Sequence, residues 1–345
     1  MQESSDAAPE EASADESGSA QESADAGPVT FTMSFVGDCT LGTDEYFGTS
    51  GRVPEYYENY GADYFFENVR SVFEADDITV VNMEGVLTEE TTRKENEEYC
   101  FKGDPEYVAI LSGSSVEAAN LANNHSYDYG EQSYLDTIEI LEEAGISHFG
   151  FEDVAILDVQ GVSVGLVGIF EVDASEDDDV AAWAKEGIET AQEAGADIVV
   201  VSFHWGIETD SVPESKQIEL AHQAIDDGAD LVIGHHPHVL QGIEYYNGKV
   251  IAYSLGNFCF GGNSNPKDKD TMILQMTFTV DEDGEITDSA LNVIPCSISS
   301  TSSYNDYQPT ILEGDEAQEV MEKIITRSQS IADTYDVQAV YTGEE

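Results

Sequence analysis

Two hydrophobic periods alternate along the chain after residue 28, and this alternation limits the fold classes open to it. Short runs rich in β-branched and aromatic residues predict strands at 30–36, 78–82, 198–203, 231–233 and 250–253. Between them, apolar residues at helical spacing predict helices near 64–74, 105–112, 131–144, 180–194, 213–227 and 315–328. Strands that alternate with helices in this way predict an α/β fold.

Hairpins interrupt the alternation, and each has a turn that contains glycine. Asn247-Gly248 is the clearest of these turns, because both residues tolerate the positive φ that a two-residue hairpin requires. The paired segments are 154–159 with 162–169, 243–246 with 249–253, and 271–280 with 286–294. Antiparallel hairpins within an alternating α/β pattern predict mixed rather than purely parallel sheets.

The first 28 residues differ in composition from the rest of the chain. They consist mainly of Ser, Ala, Glu, Asp, Gln, Pro and Gly, and the first basic residue is Arg52. Such a segment buries too little apolar surface to offset its ordering entropy, so residues 1–28 are predicted to be a disordered acidic tether. Residues 29–345 are predicted to form a single domain, with a C-terminal hairpin and helix at about 270–330. No basic start followed by an apolar run, the pattern of a secretory signal, is found here.

The charge balance excludes some partners. The chain has 71 acidic and 12 basic residues and a net charge of −59, so it lacks the basic surface that nucleic-acid binding requires. Its apolar runs fall short of the ~20 residues that a membrane-spanning helix needs, so we expect no span in this chain. An anionic substrate would need a metal ion or a local basic patch in order to approach.

Polar clusters directly follow hydrophobic segments, where open α/β sheets bind their ligands. The side chains that carry chemistry in these clusters are Asp38, Glu84, Asn124, His125, His204, His236 and His238. Taken singly, several have structural interpretations. Asp38 fits a turn, His204 fits a buried structural histidine, and Asp128 fits a cap for the helix near Glu131.

The histidine cluster after the strand at 231–233 is harder to explain by packing. Three histidines, His235, His236 and His238, occur within four positions. In an extended backbone His236 and His238 project from the same side, so both reach one site. Imidazole is a common neutral metal ligand, and the cluster therefore predicts metal binding.

The donor types together predict the kind of metal. Carboxylates, an amide and histidines form a mixed oxygen and nitrogen set, which suits Mn²⁺, Fe or Zn²⁺. The four cysteines are scattered without a C-x-x-C pair, which argues against a thiolate site. Donors from five segments are enough for two divalent ions at the ~3.5–4 Å spacing used in phosphoryl transfer.

At these residues the sequence resembles the calcineurin-like metallophosphoesterase superfamily, and more narrowly the CapA-type poly-γ-glutamate capsule biosynthesis proteins. The resemblance covers about residues 30–260. It is carried by Gly37-Asp38, Asn82-Met83-Glu84-Gly85, Ala122-Asn123-Asn124-His125, His204-Trp205-Gly206, Gly234-His235-His236-Pro237-His238 and Tyr253-Ser254-Leu255-Gly256-Asn257-Phe258.

The resemblance implies a fold and a set of roles. The implied fold is a sandwich of two mixed sheets flanked by helices, an αββα arrangement with metals at the strand ends. Asp38 would bind one ion, Glu84 would bridge two, and His238 would return to the first. The second ion would be held by Asn124, His204 and His236. His125 would be the candidate catalytic acid for the leaving group, or a donor to the transition-state oxyanion.

Two departures from the superfamily pattern bear on activity. The first motif is usually Asp-x-His, but Thr40 stands two residues after Asp38. Glu84 also replaces the usual bridging aspartate. The first ion therefore lacks one imidazole ligand, and catalytic competence depends on how the remaining donors are arranged.

Further residues are predicted to support the site. Those that would orient the ligands or contact substrate are Asn82, Asn123, Asp128, Glu208, His235 and Asn257. Arg93 and Lys102, together with Lys94, form the basic grouping nearest a motif and are the candidates to receive an anionic substrate. A solvated loop is the alternative for these three, and a loop-forming role is the alternative for Asn257.

The functional prediction is a metal-dependent, phosphoesterase-like protein of the cell envelope, acting in synthesis or export of an anionic polymer such as poly-γ-glutamate. The alternative is a non-catalytic polymer-binding or accessory subunit of a membrane synthase complex, with a degenerate metal site. A third hypothesis is cleavage at the γ-glutamyl amide itself. The tether predicts a position on the extracellular face of the membrane, or a secreted or lipid-anchored form.

Overall fold

The computed structural model describes residues 27–175, 178–335 and 337–343. Of the predicted acidic tether, only Gly27 and Pro28 fall within the described residues. The first strand begins directly after them, at Val29.

Strands account for most of the regular structure in the described part of the chain. In chain order they are β1 (Val29–Thr40), β2 (Thr43–Asp44), β3 (Ile78–Met83), β4 (Val86–Leu87), β5 (Phe101–Gly103), β6 (Ala118–Asn120), β7 (Ser147–Phe149), β8 (Val154–Val159), β9 (Val162–Phe170), β10 (Ile198–His204), β11 (Leu231–His235), β12 (Ile243–Tyr246), β13 (Lys249–Ala252), β14 (Asn257–Phe260), β15 (Asp270–Val280), β16 (Ile286–Ser297) and β17 (Thr310–Ile311).

Helices connect many of these strands. The α-helices are α1 (Val53–Tyr60), α2 (Arg70–Phe73), α3 (Val108–Ser112), α4 (Glu131–Glu143), α5 (Val180–Glu193), α6 (Ser215–Asp226) and α7 (Gly314–Tyr335). Short 3₁₀ helices cover Glu45–Phe47, Ala62–Tyr64 and Pro105–Tyr107.

The strands form two large mixed sheets and one small sheet. The first has the order β17-β16-β15-β1-β3-β6-β7, with β14 paired to β1, and the second has the order β12-β13-β11-β10-β9-β8. Strands β2, β5 and β4 form the small sheet. The three predicted hairpins are confirmed as the antiparallel pairs β8–β9, β12–β13 and β15–β16.

The two large sheets pack face to face. Alternate residues of β10 show this, because Ile198 and Val200 join a central core shared with β1, whereas Val199 and Val201 join a cluster with α5 and α6. On the outer face of the first sheet, β3 packs against α2, α3 and α4. The expected architecture of two mixed sheets flanked by helices is therefore confirmed.

Two predicted helices differ from the observed ones. The region predicted at 64–74 is mostly turns, and Phe65 and Phe66 are both fully buried. Only α2, at Arg70–Phe73, is α-helical within this region. The helix predicted at 315–328 continues to Tyr335, since its buried face of Val320 and Ile324 extends as far as Ile331.

No helix within the described ranges is long and apolar enough to cross a membrane.

Candidate metal centre

The carboxyl ends of strands from both large sheets meet at one edge of the sandwich. In the first sheet, Asp38 of β1 lies opposite Asn82 of β3 and opposite Asn257, the first residue of β14. In the second, His204 of β10 lies opposite His235 of β11. Parallel strands within each sheet place these side chains side by side, and the packing of the sheets brings the two sets together.

Asp38 is fully buried and surrounded by polar groups. Its Oδ1 accepts a hydrogen bond from Asn82 Nδ2 at 2.8 Å, and its Oδ2 lies 3.0 Å from His238 Nδ1. His235 Nδ1 lies 3.4 Å from Oδ1. Burial alone would raise the pKa of Asp38, but His235 and His238 outweigh it and hold that pKa well below its usual value. The carboxylate is therefore ionised.

Glu84 is also fully buried, but neither of its carboxylate oxygens has a hydrogen-bond partner. Its backbone is fixed, since Glu84 N donates to the Cys39 carbonyl at 2.9 Å. Burial raises the pKa of Glu84 to about 7, although nearby imidazoles act in the opposite direction. An unpartnered carboxylate is costly to bury unless a cation compensates it.

Imidazole nitrogens surround this carboxylate. Glu84 Oε1 lies 3.6 Å from His238 Nε2, 3.7 Å from His204 Nε2 and 4.0 Å from His125 Nε2. These distances are too long for hydrogen bonds. They leave space for an ion between the donors, so the arrangement fits metal coordination better than a hydrogen-bonded network.

Two overlapping donor groups result. One comprises Glu84, His204 and His236, the other comprises Asp38, Glu84 and His238, and within each group the donor atoms lie within 4.8 Å of one another. Glu84 belongs to both, which is the arrangement expected for a bridging carboxylate. The donors are carboxylate and imidazole, the types preferred by Mn²⁺, Fe and Zn²⁺.

Asn124 joins the first of these groups. Its Oδ1 lies 2.8 Å from His204 Nε2. Two donors at right angles on one ion, each ~2.1 Å from it, lie roughly 3 Å apart. In this structure the pair is hydrogen-bonded, and an ion held by Glu84, His204 and His236 would replace the proton between these two atoms.

The loop after β11 reaches the site by a different conformation from the one predicted. The sequence interpretation assumed an extended backbone, but β11 ends at His235. His236 has a φ of 93° and His238 has a φ of 56°. The chain thus turns through left-handed conformations, which are strained for residues with a side chain. This turn directs both imidazoles to Glu84, and the extended-strand explanation was wrong.

The electrostatic states of these histidines differ. Burial lowers the pKa of His204 well below its usual value and that of His236 to about 4, so both are neutral and offer a lone pair. His238 is opposite. Burial would lower its pKa, but Glu84 and Asp38 raise it to about 10. A cation bound between these carboxylates would take the place of that proton.

His125 lies beside the donor groups, and hydrogen bonds to Asp128 and Asn123 hold it in place. Its Nδ1 is 2.7 Å from Asp128 Oδ2, and its backbone N–H donates to Asn123 Oδ1 at 3.1 Å. Asn123 is fixed in turn, because its Nδ2 donates to the Met83 carbonyl at 2.9 Å. Burial lowers the pKa of His125, but Asp128 outweighs burial and raises it. His125 thus directs Nε2 toward Glu84.

Asp128 does not cap the following helix, contrary to the structural interpretation of its position. The residue before α4 is Gly130, and it makes no side-chain cap. Asp128 instead accepts from His125 and from the backbone N–H of Phe101. Its carboxylate therefore orients a site histidine.

Other predicted supporting residues also contact the cluster. Asn82 joins Asp38 to Asn120, whose Nδ2 donates to Asn82 Oδ1 at 3.0 Å. Asn257 lies against His238 twice, with Oδ1 3.0 Å from Nδ1 and Nδ2 donating to the backbone carbonyl at 3.1 Å. Asn120 was not anticipated, since no motif includes it.

A cavity of about 380 Å³ opens next to the donors. Its wall includes His125, His238 and Glu208, and the aromatic rings of Phe101 and Phe260. It also includes Arg52, which the sequence interpretation missed. Arg52 lies 14 residues after Asp38 and outside every motif, so the sequence did not indicate that it would line the cavity.

Arg93 and Lys102, which were predicted to receive an anionic substrate, lie outside the cavity. Arg93 Nη1 is 3.3 Å from Asp44 Oδ1, and its guanidinium lies over Tyr46. Lys102 Nζ donates to the Glu90 carbonyl and lies 4.8 Å from the Tyr129 ring centroid. Neither side chain lines the cavity. Both stabilise the loops around it.

Comparison with known proteins places the chain in a family. The model described as bacterial capsule synthesis protein PGA_cap matches residues 32–262, which include every predicted metal ligand. The chain belongs to this family. The predicted CapA-type resemblance is thereby confirmed.

Two CapA proteins are similar over most of the described region. The PGA biosynthesis protein CapA of Bacillus subtilis (strain 168) is 34% identical over 249 residues, covering 66% of this chain and 63% of that protein. The capsule biosynthesis protein CapA of Bacillus anthracis is 32% identical over 290 residues, covering 77% and 67%. The chain thus spans about two thirds of the length of these relatives.

Solved structures give looser likenesses. A hypothetical protein from Thermus thermophilus matches with a TM-score of 0.47 and 15% identity, over 76% of this chain and 99% of that one. A phosphatase from Mycoplasma pneumoniae matches with a TM-score of 0.46 and 13% identity, over 78% and 94%. Both TM-scores lie below 0.5, so the candidate metal centre is inferred from the side chains of this chain alone.

Proposed function

We propose that this chain is a divalent-metal-dependent, phosphoesterase-like protein of the cell envelope that acts in synthesis or export of an anionic polymer such as poly-γ-glutamate. The observation that carries the proposal is the buried Glu84 carboxylate, which has no hydrogen-bond partner and has imidazole nitrogens 3.6 to 4.0 Å away. A divalent ion bound between these donors would compensate the buried charge.

The donor groups suggest how two ions would be held. Asp38, Glu84 and His238 would hold one, while Glu84, His204 and His236 would hold the other with Asn124. Bound divalent ions supply Lewis acidity toward a phosphoryl group. The protein contributes the rigid placement of the donors, since Asn82 and Asn257 fix Asp38 and His238.

His125 would supply a proton. Its Nδ1 faces Asp128 at 2.7 Å, so its Nε2 is directed toward the cluster and the cavity. Asp128 favours the protonated imidazole. From that position Nε2 would donate to the leaving-group oxygen of a substrate, a role typical of histidine near neutral pH.

The relatives suggest the proposed pathway, and the acidic Ser/Ala-rich composition of residues 1–28 suggests the proposed compartment. Their printed names refer to PGA biosynthesis, to capsule biosynthesis and, for a Mycobacterium tuberculosis protein that is 27% identical, to a probable accessory role in polyglutamine synthesis. For this chain we propose an anionic polymer or phosphoester substrate, membrane synthase subunits as partners, and a position on the extracellular face of the membrane, secreted or lipid-anchored.

The test measures metal content and turnover together. Purified protein loaded with Mn²⁺ should retain about two equivalents by elemental analysis and should hydrolyse bis-p-nitrophenyl phosphate. His236→Ala should lose at least one equivalent and the turnover. His148→Ala is the matched control, because His148 lies on β7 outside the cluster. Absence of both metal and turnover in the unmodified protein would reject the proposal.

One observation favours the non-catalytic alternative. Thr40 occupies the position where the superfamily has a histidine ligand, and its buried Oγ1 has no hydrogen-bond partner. A first ion without that imidazole would bind more weakly. Retention of short poly-γ-glutamate by a protein that binds metal and hydrolyses none of several phosphoesters would support this accessory role.

A further inference from the structure

Arg52 is unusual among the four arginines of this chain. Of its 12 lysines and arginines, eight form ion pairs with carboxylates. Arg52 has no carboxylate partner within the described residues, although acidic groups outnumber basic ones about sixfold. Its Nη1 is buried and has no hydrogen-bond partner. An unpaired, partly desolvated guanidinium is unfavourable unless a ligand completes it.

The position of Arg52 identifies where that ligand would lie. It lines the same cavity as His125 and His238, and it is the one lysine or arginine of the described chain that does so. A group bound by Arg52 would therefore occupy the space in front of the metal donors.

The guanidinium is held in place rather than free to move. It lies over the ring of Phe47 with its central carbon 4.5 Å from the centroid, a cation–π contact. The backbone is anchored as well, because Tyr307 Oη donates to the Gly51 carbonyl at 2.9 Å and α1 begins at the buried Val53. A fixed guanidinium loses little entropy when it binds an oxyanion.

Two acidic residues, Glu208 and Asp268, also line the cavity wall with Arg52. Asp268 is already engaged, since its Oδ1 lies 3.0 Å from Lys323 Nζ and its Oδ2 lies 3.5 Å from Arg327 Nη2. Glu208 would repel an anion, and Arg52 opposes that repulsion from the same cavity.

We propose that Arg52 binds an oxyanion group of the substrate, a carboxylate or a phosphate, in the cavity beside the metal donors. This inference rests on the proposed function for the identity of the substrate, but the oxyanion site itself does not depend on metal. The planar fork of arginine matches the paired oxygens of either group, which lysine does not. Arg52 would thus select anionic ligands in a chain whose charge otherwise repels them.

The experiment titrates two probes, inorganic phosphate and tri-γ-glutamate, into Mn²⁺-loaded protein by calorimetry. Arg52→Gln should weaken the probe that binds by roughly 10- to 100-fold, as expected for loss of a hydrogen bond to a charged group. Arg52→Lys should recover part of the affinity. Arg93→Gln, which removes an arginine outside the cavity, should bind as the unmodified protein does. Circular dichroism checks that each variant is folded.

The outcomes separate this inference from the proposed function. Metal content is measured on every sample, and Arg52→Gln should keep the full amount. If the unmodified protein binds no metal, the proposed function fails, and the same titrations on metal-free protein still decide the role of Arg52. Equal affinity of Arg52→Gln and the unmodified protein, equal weakening by Arg93→Gln, or no binding of either probe would each overturn it.

Discussion

Glu84 Oε1 lies 3.7 Å from His204 Nε2, and this pair joins the two sheets of the sandwich. Glu84 directly follows β3 of the first sheet, whereas His204 ends β10 of the second. Both side chains are fully buried. A cation between them would therefore add a further link between the two layers, and metal binding should be coupled to stability.

Metal removal is expected to destabilise the protein. An ion that binds only the folded state stabilises it by ~2.7 kcal/mol at a concentration 100 times Kd. Thermal melts with Mn²⁺ and with EDTA should therefore differ by several degrees, with the higher Tm in Mn²⁺. Mg²⁺ at the same ionic strength controls for general screening of the −59 charge. Identical melts in Mn²⁺ and EDTA would contradict the coupling.

Glu84→Gln tests the bridging position. Glutamine keeps the volume but removes the charge, so the variant should lose the rise in Tm that Mn²⁺ produces. Without metal it should be about as stable as the unmodified protein, because relief of the carboxylate's desolvation is offset by the lost attraction to protonated His238. Glu208→Gln, an exposed acidic residue at the cavity wall, should keep the metal response. The comparison is made by differential scanning fluorimetry.

His125→Ala should separate metal binding from proton donation. His125 is predicted as the acid and not as a ligand, so the variant should retain its metal while turnover falls by ~10²- to 10⁴-fold. The loss should be greatest for a methyl phosphodiester, whose leaving group needs a proton. It should be smaller for p-nitrophenyl substrates, whose leaving group departs as an anion. An equal loss on both substrates would argue against the acid role.

Glu117 provides a pH test away from the site. Burial raises its pKa to about 7 from an ordinary value of 4.5, and its Oε2 accepts from Thr79 N at 2.7 Å. The folded state therefore holds the proton more tightly than the unfolded state. This contribution is complete below pH 4.5 and is lost as the pH rises through about 7.

Glu117→Gln removes this dependence while keeping an oxygen that accepts from Thr79. As the pH rises from 5 to 8, the free energy of unfolding of the variant should increase by about 1–2 kcal/mol relative to that of the unmodified protein. Urea denaturation at both pH values measures the difference. Glu219→Gln, on the exposed face of α6, should show no such gain. A larger gain at pH 5 than at pH 8 would contradict the raised pKa of Glu117.

Much of the site could be predicted because strand ends are visible in sequence. Asp38, Glu84 and His204 each follow a hydrophobic run, and the ends of parallel strands meet at one edge of a sheet. Hairpins were predictable for a similar local reason, since Asn247-Gly248 fits a two-residue turn between β12 and β13. The metal roles of these residues remain predictions.

Other features depended on contacts between distant segments. Turns replace most of the helix predicted at 64–74, where only Arg70–Phe73 is α-helical, and no local period indicates this. The same holds for Asp128, which binds His125 and Phe101 instead of capping α4.

The sequence alone determined which chemical groups stand at the strand ends, and hence the family and the types of donor atom available there, because hydrophobic period and residue type are local properties. The tertiary structure decided how those groups converge. It placed His236 and His238 through left-handed backbone and brought Arg52, rather than Arg93, into the cavity. Side-chain direction follows from φ, ψ and the packing of remote segments, and these are fixed only when the two sheets close on each other.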